Sequence, residues 1–386
     1  MRSRFTTCVG ATAAVAVAFT ALGAAPVWAE PVVEDRPPLS EQFSSGTDPR
    51  ADESAVASPE VADPERLRAD VRVAPFAEAR SVEYFAVAQE SLPRDVVGRV
   101  RRIDGVDTAL TVDAARVGVD GEPLSLLGVN PSSFRNHAPR PSAESDEIWR
   151  GVAEGRIALS NEVGTERSLD LGSEVTAAGG RGAVDLEVWT HATSGIAGID
   201  ALVSRERAAD LGMPHGNALV VSAPDADLWE LYDALTEVLG EDVSLQLVAD
   251  DAEPPVTGEA VAPSIVEEVI AHAESQIGVP YVWGGESPED GFDCSGLLQW
   301  AFARAGVAIP RVTHDQWNAG ERLDLSQARR GDLLFWRTDP TAPDYISHVA
   351  IYLGEGMMLE APRTGLSVRV TPVRTDSFAG VVRIHA

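Results

Sequence analysis

The chain has 386 residues and a formal net charge of −29, and all 31 of its basic residues are arginine. That length accommodates two or three domains with a sizeable core. So acidic a surface repels polyanions, which argues against nucleic acid and anionic membrane as partners.

The chain opens "MRSRFTTCVGATAAVAVAFTALGAAPVWAE". Arg2 and Arg4 give a positive start, residues 9–25 are small and apolar, and Val27-Trp28-Ala29 fits a small-x-small cleavage signal. This is the pattern of a secretory signal peptide over 1–29; the apolar run is short and Ala-rich for a membrane span. Cys8 precedes that run, so it is not a lipidation site, and cleavage removes it. An exported chain then keeps Cys294 alone, with no disulfide framework. A solitary thiol in an oxidising compartment is either buried as a small hydrophobe or used as a nucleophile. No later segment is apolar enough to give a stable membrane span.

Residues 30–75 are rich in Pro, Glu, Asp, Ser and Ala and read as a disordered acidic linker. Apolar periodicity returns over 76–250, a mixed α+β domain. "ALTVDAARVGV" and "SLLGV" read as strands. "DADLWELYDALTEVLG" sets Leu228, Leu231, Leu235 and Val238 on one helical face, with Gly240 as the stop. An internal echo aligns Ser160 with Ser204, Glu162 with Glu206 and Gly172 with Gly216. Each copy reads strand, Ser N-cap, short helix, Gly turn, strand. The stretches "WRGVAEGRIALSNEVG" and "VSRERAADLGMPHGNALVV" resemble the extracytoplasmic core domain of MacB-type ABC transporter permeases. The resemblance implies a docking or regulatory domain, with a membrane or divisome partner contacted through 76–250.

A second Pro- and Glu-rich linker covers 251–263. The last domain, 264–386, begins with "SIVEEVIAHAESQIG", an amphipathic helix with Ser264 as cap and Ile265, Val269, Ala273 and Ile277 inward. A glycine-rich loop follows, and a second helix runs from Cys294 towards Ala305, with Gly306 as the stop. Leu297, Leu298, Ala301, Phe302 and Ala305 form its buried face. Cys294 thus lies in a first helical turn, where unpaired N–H groups and the macrodipole favour a thiolate. Asp293 reads as an N-cap or as a substrate contact, and Ser295 and Gly296 keep bulk from the thiol.

A thiol nucleophile needs a base and a polar group to orient that base. His348 opens the strand "HVAIYLG" and can face a cleft; a surface histidine on an edge strand is the bland alternative. Glu360 interrupts the apolar strand "GMMLEA", where a carboxylate is costly unless paired, so pairing with an imidazolium accounts for it. A rim charge is the alternative. His314 is a rim candidate, His272 reads as solvated, and His137, His191, His215 and His385 have no partners by spacing. No HExxH, CxxC or Walker loop occurs, so neither a metal nor another cofactor is expected.

The order cysteine on a helix, histidine on a strand, polar residue on the next strand resembles papain-like hydrolases. "PYVWGG", "GFDCSGLLQWAFARAG", "IPRVTHDQ", "GDLLFW", "HVAIYLGEG" and "EAPRTG" resemble, more specifically, the NlpC-type cell-wall cysteine endopeptidases. The resemblance implies a papain-like α+β domain, with the catalytic helix packed on an antiparallel sheet. It makes Cys294 the nucleophile, His348 the base and then acid, and Glu360 the third polar residue, where the family often has His. It sets Tyr281 near the thiol and gives Asp293 and Ser295 to the substrate's amino end. The implied substrate is the peptidoglycan stem peptide, most often cut between D-isoglutamate and a diamino acid, outside the cytoplasm at the cell wall. Two alternatives keep the same residues: a non-hydrolytic wall-binding or regulatory protein, and an acyl transferase using the thiol.

Overall fold

The structure, a computed structural model, describes residues 58–240, 242–249 and 258–385. The signal-peptide reading of 1–29, the linker reading up to residue 57 and positions 251–257 of the second linker lie outside the described residues.

Nine strands form the first part. They are β1 (Tyr84–Val87), β2 (Thr108–Val119), β3 (Glu122–Val129), β4 (Ile157–Leu159), β5 (Glu174–Gly179), β6 (Gly182–His191), β7 (Ala201–Ser204), β8 (Ala218–Ser222) and β9 (Ser244–Leu247). β2 is long enough, at 12 residues, to serve two sheets. Its second half pairs with β3 and β5, and the ring closes through β3–β7, β7–β4, β4–β6 and β6–β5. The six strands therefore make a closed barrel, which leaves no free edge. Val117, Leu126, Ile157, Val175, Val188 and Val203 fill its interior. The first half of β2 pairs with β8, and β8, β1 and β9 continue the sheet.

Seven helices cover these sheets: α1 (Arg94–Val100), the one-turn α2 (Pro131–Phe134) and α3 (Arg140–Ala143), α4 (Asp146–Ala153), α5 (Asn161–Glu166), α6 (Arg205–Leu211) and α7 (Leu228–Leu239). The internal echo corresponds to β4–α5–β5 and β7–α6–β8. Ser160 accepts from the Val163 N–H at 3.2 Å and Ser204 from the Arg207 N–H at 3.4 Å, so each strand hands directly to a capped helix. α7 buries Leu231 and Leu235 and ends at Gly240, with φ of 86°.

Residues 58–75, expected as linker, instead pack on this domain. Val61 bridges Thr190, the Ala62 N–H donates to the Trp189 carbonyl at 2.9 Å, and Arg66 pairs with Glu187 at 2.8 Å. A polar, proline-rich composition says little when the segment borrows its hydrogen bonds from a neighbouring strand.

The second part has helices α8 (Pro263–Glu274), α9 (Cys294–Arg304) and α10 (Thr313–Trp317). Its strands are β10 (Glu286–Ser287), β11 (Gly291–Phe292), β12 (Gly320–Leu323), β13 (Leu333–Trp336), β14 (His348–Gly354), β15 (Met357–Glu360), β16 (Arg369–Pro372) and β17 (Phe378–Ile384). The main sheet runs β12-β17-β13-β14-β15-β16 and is antiparallel throughout. Leu333, Phe335, Val349, Ile351 and Leu359 face α8 and α9, while Leu334, Trp336, Ala350 and Met358 face the other side, as a period of two requires. The domain is α+β with α9 packed on an antiparallel sheet, the papain-like arrangement.

Two local expectations change. Ser264 is not the cap of α8: Ala262 holds that position and Pro263 opens the helix, where its missing N–H costs nothing. Ile277 is 51% exposed because α8 stops at Glu274 and the chain turns at Gly278.

Candidate active site

α9 is fixed at its start by three contacts. The Asp293 carboxylate accepts from the Gly296 N–H at 2.7 Å, capping the helix. The Asp293 N–H donates to the Gly285 carbonyl at 3.0 Å, tying on the glycine-rich loop. A Cβ on Gly296 would lie 2.1 Å from that same carbonyl oxygen, so only glycine lets loop and helix approach. Arg311 then grips Asp293 with both terminal nitrogens, Nη2 to Oδ2 at 2.6 Å and Nη1 to Oδ1 at 3.0 Å. The Ser295 hydroxyl donates to Asp293 Oδ1 at 3.2 Å and accepts from Arg311 Nη1 at 3.0 Å. Both residues expected at the substrate's amino end are thus already engaged with Arg311.

Cys294 is buried at the first position of α9, with Sγ 3.5 Å from the Thr313 hydroxyl. Burial pushes the thiol up, and the charges of Asp293 and Glu162 push the same way, to about 12. Bonds from Thr313 and the Val349 N–H oppose this without overcoming it. Burial first, and the acidic neighbours after it, therefore work against the thiolate that the helix start favours.

His348 opens β14 opposite Trp336, with the two rings 5.7 Å apart. Its Nε2 lies 2.9 Å from Glu360 Oε2. Glu360 ends β15 and is buried, yet its oxygens also accept from Arg369 at 3.0 and 3.1 Å and from Arg374 at 2.8 and 3.0 Å. Burial works against ionisation, but the bonds and charges of His348 and Arg374 win and hold the carboxyl well below the usual range. An ionised carboxylate can only accept, so Nε2 carries a proton and Nδ1 is the nitrogen left to exchange one. Among the described residues no hydrogen bond joins Sγ to the imidazole. The Val349 N–H beside Sγ nevertheless sets the thiol against the strand that His348 opens.

Tyr281 is buried and donates its hydroxyl to Glu162 Oε1, 3.3 Å away on α5 of the first part. Burial first, then Glu162 and Cys294, push its phenol far above the ordinary value, so it stays a donor. Burial also raises Glu162 well above the usual carboxylate range, and Asp293 and Glu166 add to it. A cleft of about 540 Å³ opens here, with Cys294, Ser295 and Arg311 on one wall and Glu162, Arg116 and Arg167 on the other.

The other histidines sit apart from this cleft. His314, expected at a rim, is buried in α10, with Asn318 Nδ2 3.3 Å from its Nε2. His272, expected in solvent, packs edge-on to Trp300 with rings 6.0 Å apart. Sequence reasoning passed over Thr313 and Arg311, although both lie in the stretch "IPRVTHDQ". It also passed over Arg369 and Arg374, whose only signal is their place just past Glu360, and over Glu162, which no pattern in the last domain could reveal.

The NlpC/P60 family matches residues 278–384. The peptidoglycan endopeptidase RipA of Mycolicibacterium smegmatis is 44% identical over 129 residues, 30% of this chain and 25% of RipA. RipB, the peptidoglycan endopeptidase of Mycobacterium tuberculosis, is 46% identical over 127 residues, 30% of this chain and 51% of RipB. The crystal structure of the peptidoglycan hydrolase RipB from the same organism matches at 44% identity, covering 32% of this chain and 66% of that one, with a TM-score of 0.28. The chain spans between a quarter and a half of the length of these curated relatives. Residues 278–384, which carry Cys294, His348 and Glu360, form an NlpC/P60-family domain.

Proposed function

We propose that this protein is a cysteine endopeptidase that hydrolyses amide bonds in peptidoglycan stem peptides, at the bond between D-isoglutamate and a diamino acid. The observation that carries it is the His348–Glu360 pair, held by two arginines, with His348 on the strand that also flanks the Cys294 thiol. Relatives bearing the same domain are named peptidoglycan endopeptidases, which supports the substrate class.

In this mechanism Nδ1 of His348 takes the thiol proton while Glu360 holds the ring and stabilises the imidazolium. The thiolate attacks the carbonyl carbon, and the Cys294 backbone N–H at the helix start donates to the developing oxyanion. His348 then protonates the leaving amine, and water cleaves the thioester, regenerating the thiol. Thr313 releases the sulfur as the ion pair forms. Tyr281, Asp293 and Ser295 are assigned to substrate binding, the last two through the array they form with Arg311.

The same reading makes residues 1–29 a secretory signal and the site of action the extracytoplasmic cell wall. No helix among the described residues is long and apolar enough to cross a membrane. Residues 76–250 are assigned as a docking or regulatory domain for a membrane or divisome partner.

The test is mass spectrometry of purified wall peptidoglycan after digestion. New stem-peptide fragments should appear with the chain and fall by about three orders of magnitude or more with Cys294→Ala, the scale on which removing a nucleophile acts. Equal fragment release by that variant would sink the proposal.

A further inference from the structure

The cleft at Cys294 has walls from both parts of the chain, and the family match covers one of them. The wall contributed by the barrel has its own charge pattern. Arg116 on β2 and Arg167 just past α5 both line the cleft. Among the described residues neither side chain has a hydrogen bond or an ion pair. Other arginines, among them Arg72, Arg94, Arg102 and Arg363, are also without such a partner, but these do not line the cleft, whereas Arg311 on its opposite wall is paired. The acid close to both is Asp200, which already accepts from the Ser125 N–H at 2.7 Å. Burial raises the Asp200 carboxyl, and Arg167 and Arg116 lower it. Glu122 lines the same wall, so two guanidiniums stand with two carboxylates here, and neither guanidinium is engaged by a hydrogen bond.

The opposite end is acidic, with Asp293 and Glu286 sharing one Arg311. Glu162, whose burial favours the neutral carboxyl, lies beside them with the Tyr281 hydroxyl at 3.3 Å. The cleft therefore offers carboxylates near the thiol and, on the barrel wall, two guanidiniums whose donors are open. Arginine presents a planar fork that matches a carboxylate with two parallel bonds. A peptide with a cationic group at one end and carboxylates at the other fits this pattern in one direction only.

We propose that the barrel domain completes the substrate cleft, and that Arg116 and Arg167 bind a free carboxylate of the stem peptide whose amide bond Cys294 attacks. The inference rests on the endopeptidase reading for its substrate class. Its residues lie outside the matched family region, so they set a preference that residues 278–384 alone cannot supply. Wall peptides whose carboxylates are amidated would bind poorly, and wall peptides with free carboxylates would bind well.

Binding can be read without turnover, by isothermal titration of the full chain carrying Cys294→Ala. The probes are the tripeptide L-alanyl-γ-D-glutamyl-diaminopimelate and its carboxamide form. Amidation should weaken binding about tenfold or more, the worth of one charge-assisted pair. In the same chain with Arg116→Ala and Arg167→Ala added, the free-carboxylate peptide should bind as weakly as the amide, and the distinction should vanish. Arg116→Lys with Arg167→Lys should restore part of it. An unchanged thermal melt for each variant keeps the comparison clean. The proposal is overturned if the tripeptide does not bind, if amidation makes no difference in the parent, or if the double alanine variant still discriminates. Failure of the endopeptidase reading is seen separately, as discrimination in binding together with no cleavage of wall peptides by the chain that retains Cys294.

Discussion

Cys294 sits where a macrodipole stabilises an anion by up to about 2 kcal/mol, yet its thiol is pushed up to about 12 by burial, Asp293 and Glu162. Asp293 cannot be removed cleanly, because it caps α9 and anchors Arg311. Glu162 can, because it comes from another part of the chain and makes one long bond to Tyr281. Glu162→Gln keeps the shape and removes the charge. In the alkaline range where the buried Glu162 carboxyl ionises, a thiolate that loses one of its two anionic neighbours becomes easier to form. Alkylation of Cys294 by iodoacetamide at alkaline pH should then run about three- to tenfold faster, with the rate-against-pH curve displaced to lower pH. A curve that stays in place would mean the carboxyl does not act on the thiol. This readout needs no substrate, so it holds whichever bond the enzyme cuts.

At the scale of the element, α9 depends on its junction with the glycine-rich loop. Gly296→Ala would put a methyl 2.1 Å from the Gly285 carbonyl oxygen, which is backbone and cannot swing aside. Overpacking of this kind costs about 1–3 kcal/mol. The variant should melt lower by several degrees in a thermal scan, and Cys294 should become more accessible to alkylation as the helix start moves. An unchanged melt would show that the loop can retreat. The same junction marks what local sequence can and cannot carry. α9 is legible from end to end, because Asp293 is a cap, Leu297, Leu298, Ala301 and Phe302 recur at helical spacing, and Gly306 is a stop. β14 follows from alternation in the same way, and β15 from the apolar run that Glu360 interrupts. The clamp on Glu360 is not legible: Arg369 and Arg374 reach it from the next strand and beyond, and no spacing rule relates them. The barrel is not legible either, since its closure depends on β2 pairing with β5 and β3 with β7, each distant in sequence. The two capped strand–helix units were readable within it because a Ser N-cap is a local signal. The space that Gly296 leaves is filled by the Gly285 carbonyl, not by the thiol as its place beside Cys294 suggests.

Across the whole molecule, the two parts are joined by more than residues 250–258. Trp283, in the loop "PYVWGG", packs against the barrel core as well as the core under α9. Polar contacts also join the two parts: Thr193 donates to Asp339, the Thr193 N–H donates to Thr341 Oγ1 at 3.1 Å, the Thr364 N–H donates to Glu166 at 2.7 Å, and Gln246 donates to Asp315 at 3.1 Å. Small polar contacts hold orientation while one aromatic supplies the apolar area, so the tryptophan is the place to cut. Because Trp283 is half-buried, Trp283→Ala should remove less than the 3–5 kcal/mol of a fully buried aromatic, about 1–3 kcal/mol. If the two parts unfold as one cooperative unit because of this contact, calorimetry of the parent should give a single transition and the variant two. The separated domain would also lose the barrel wall of the cleft, so Cys294 in the variant should alkylate faster, as in Glu162→Gln. A single transition in the variant, with unchanged alkylation, would show that the polar contacts alone hold the barrel over the thiol.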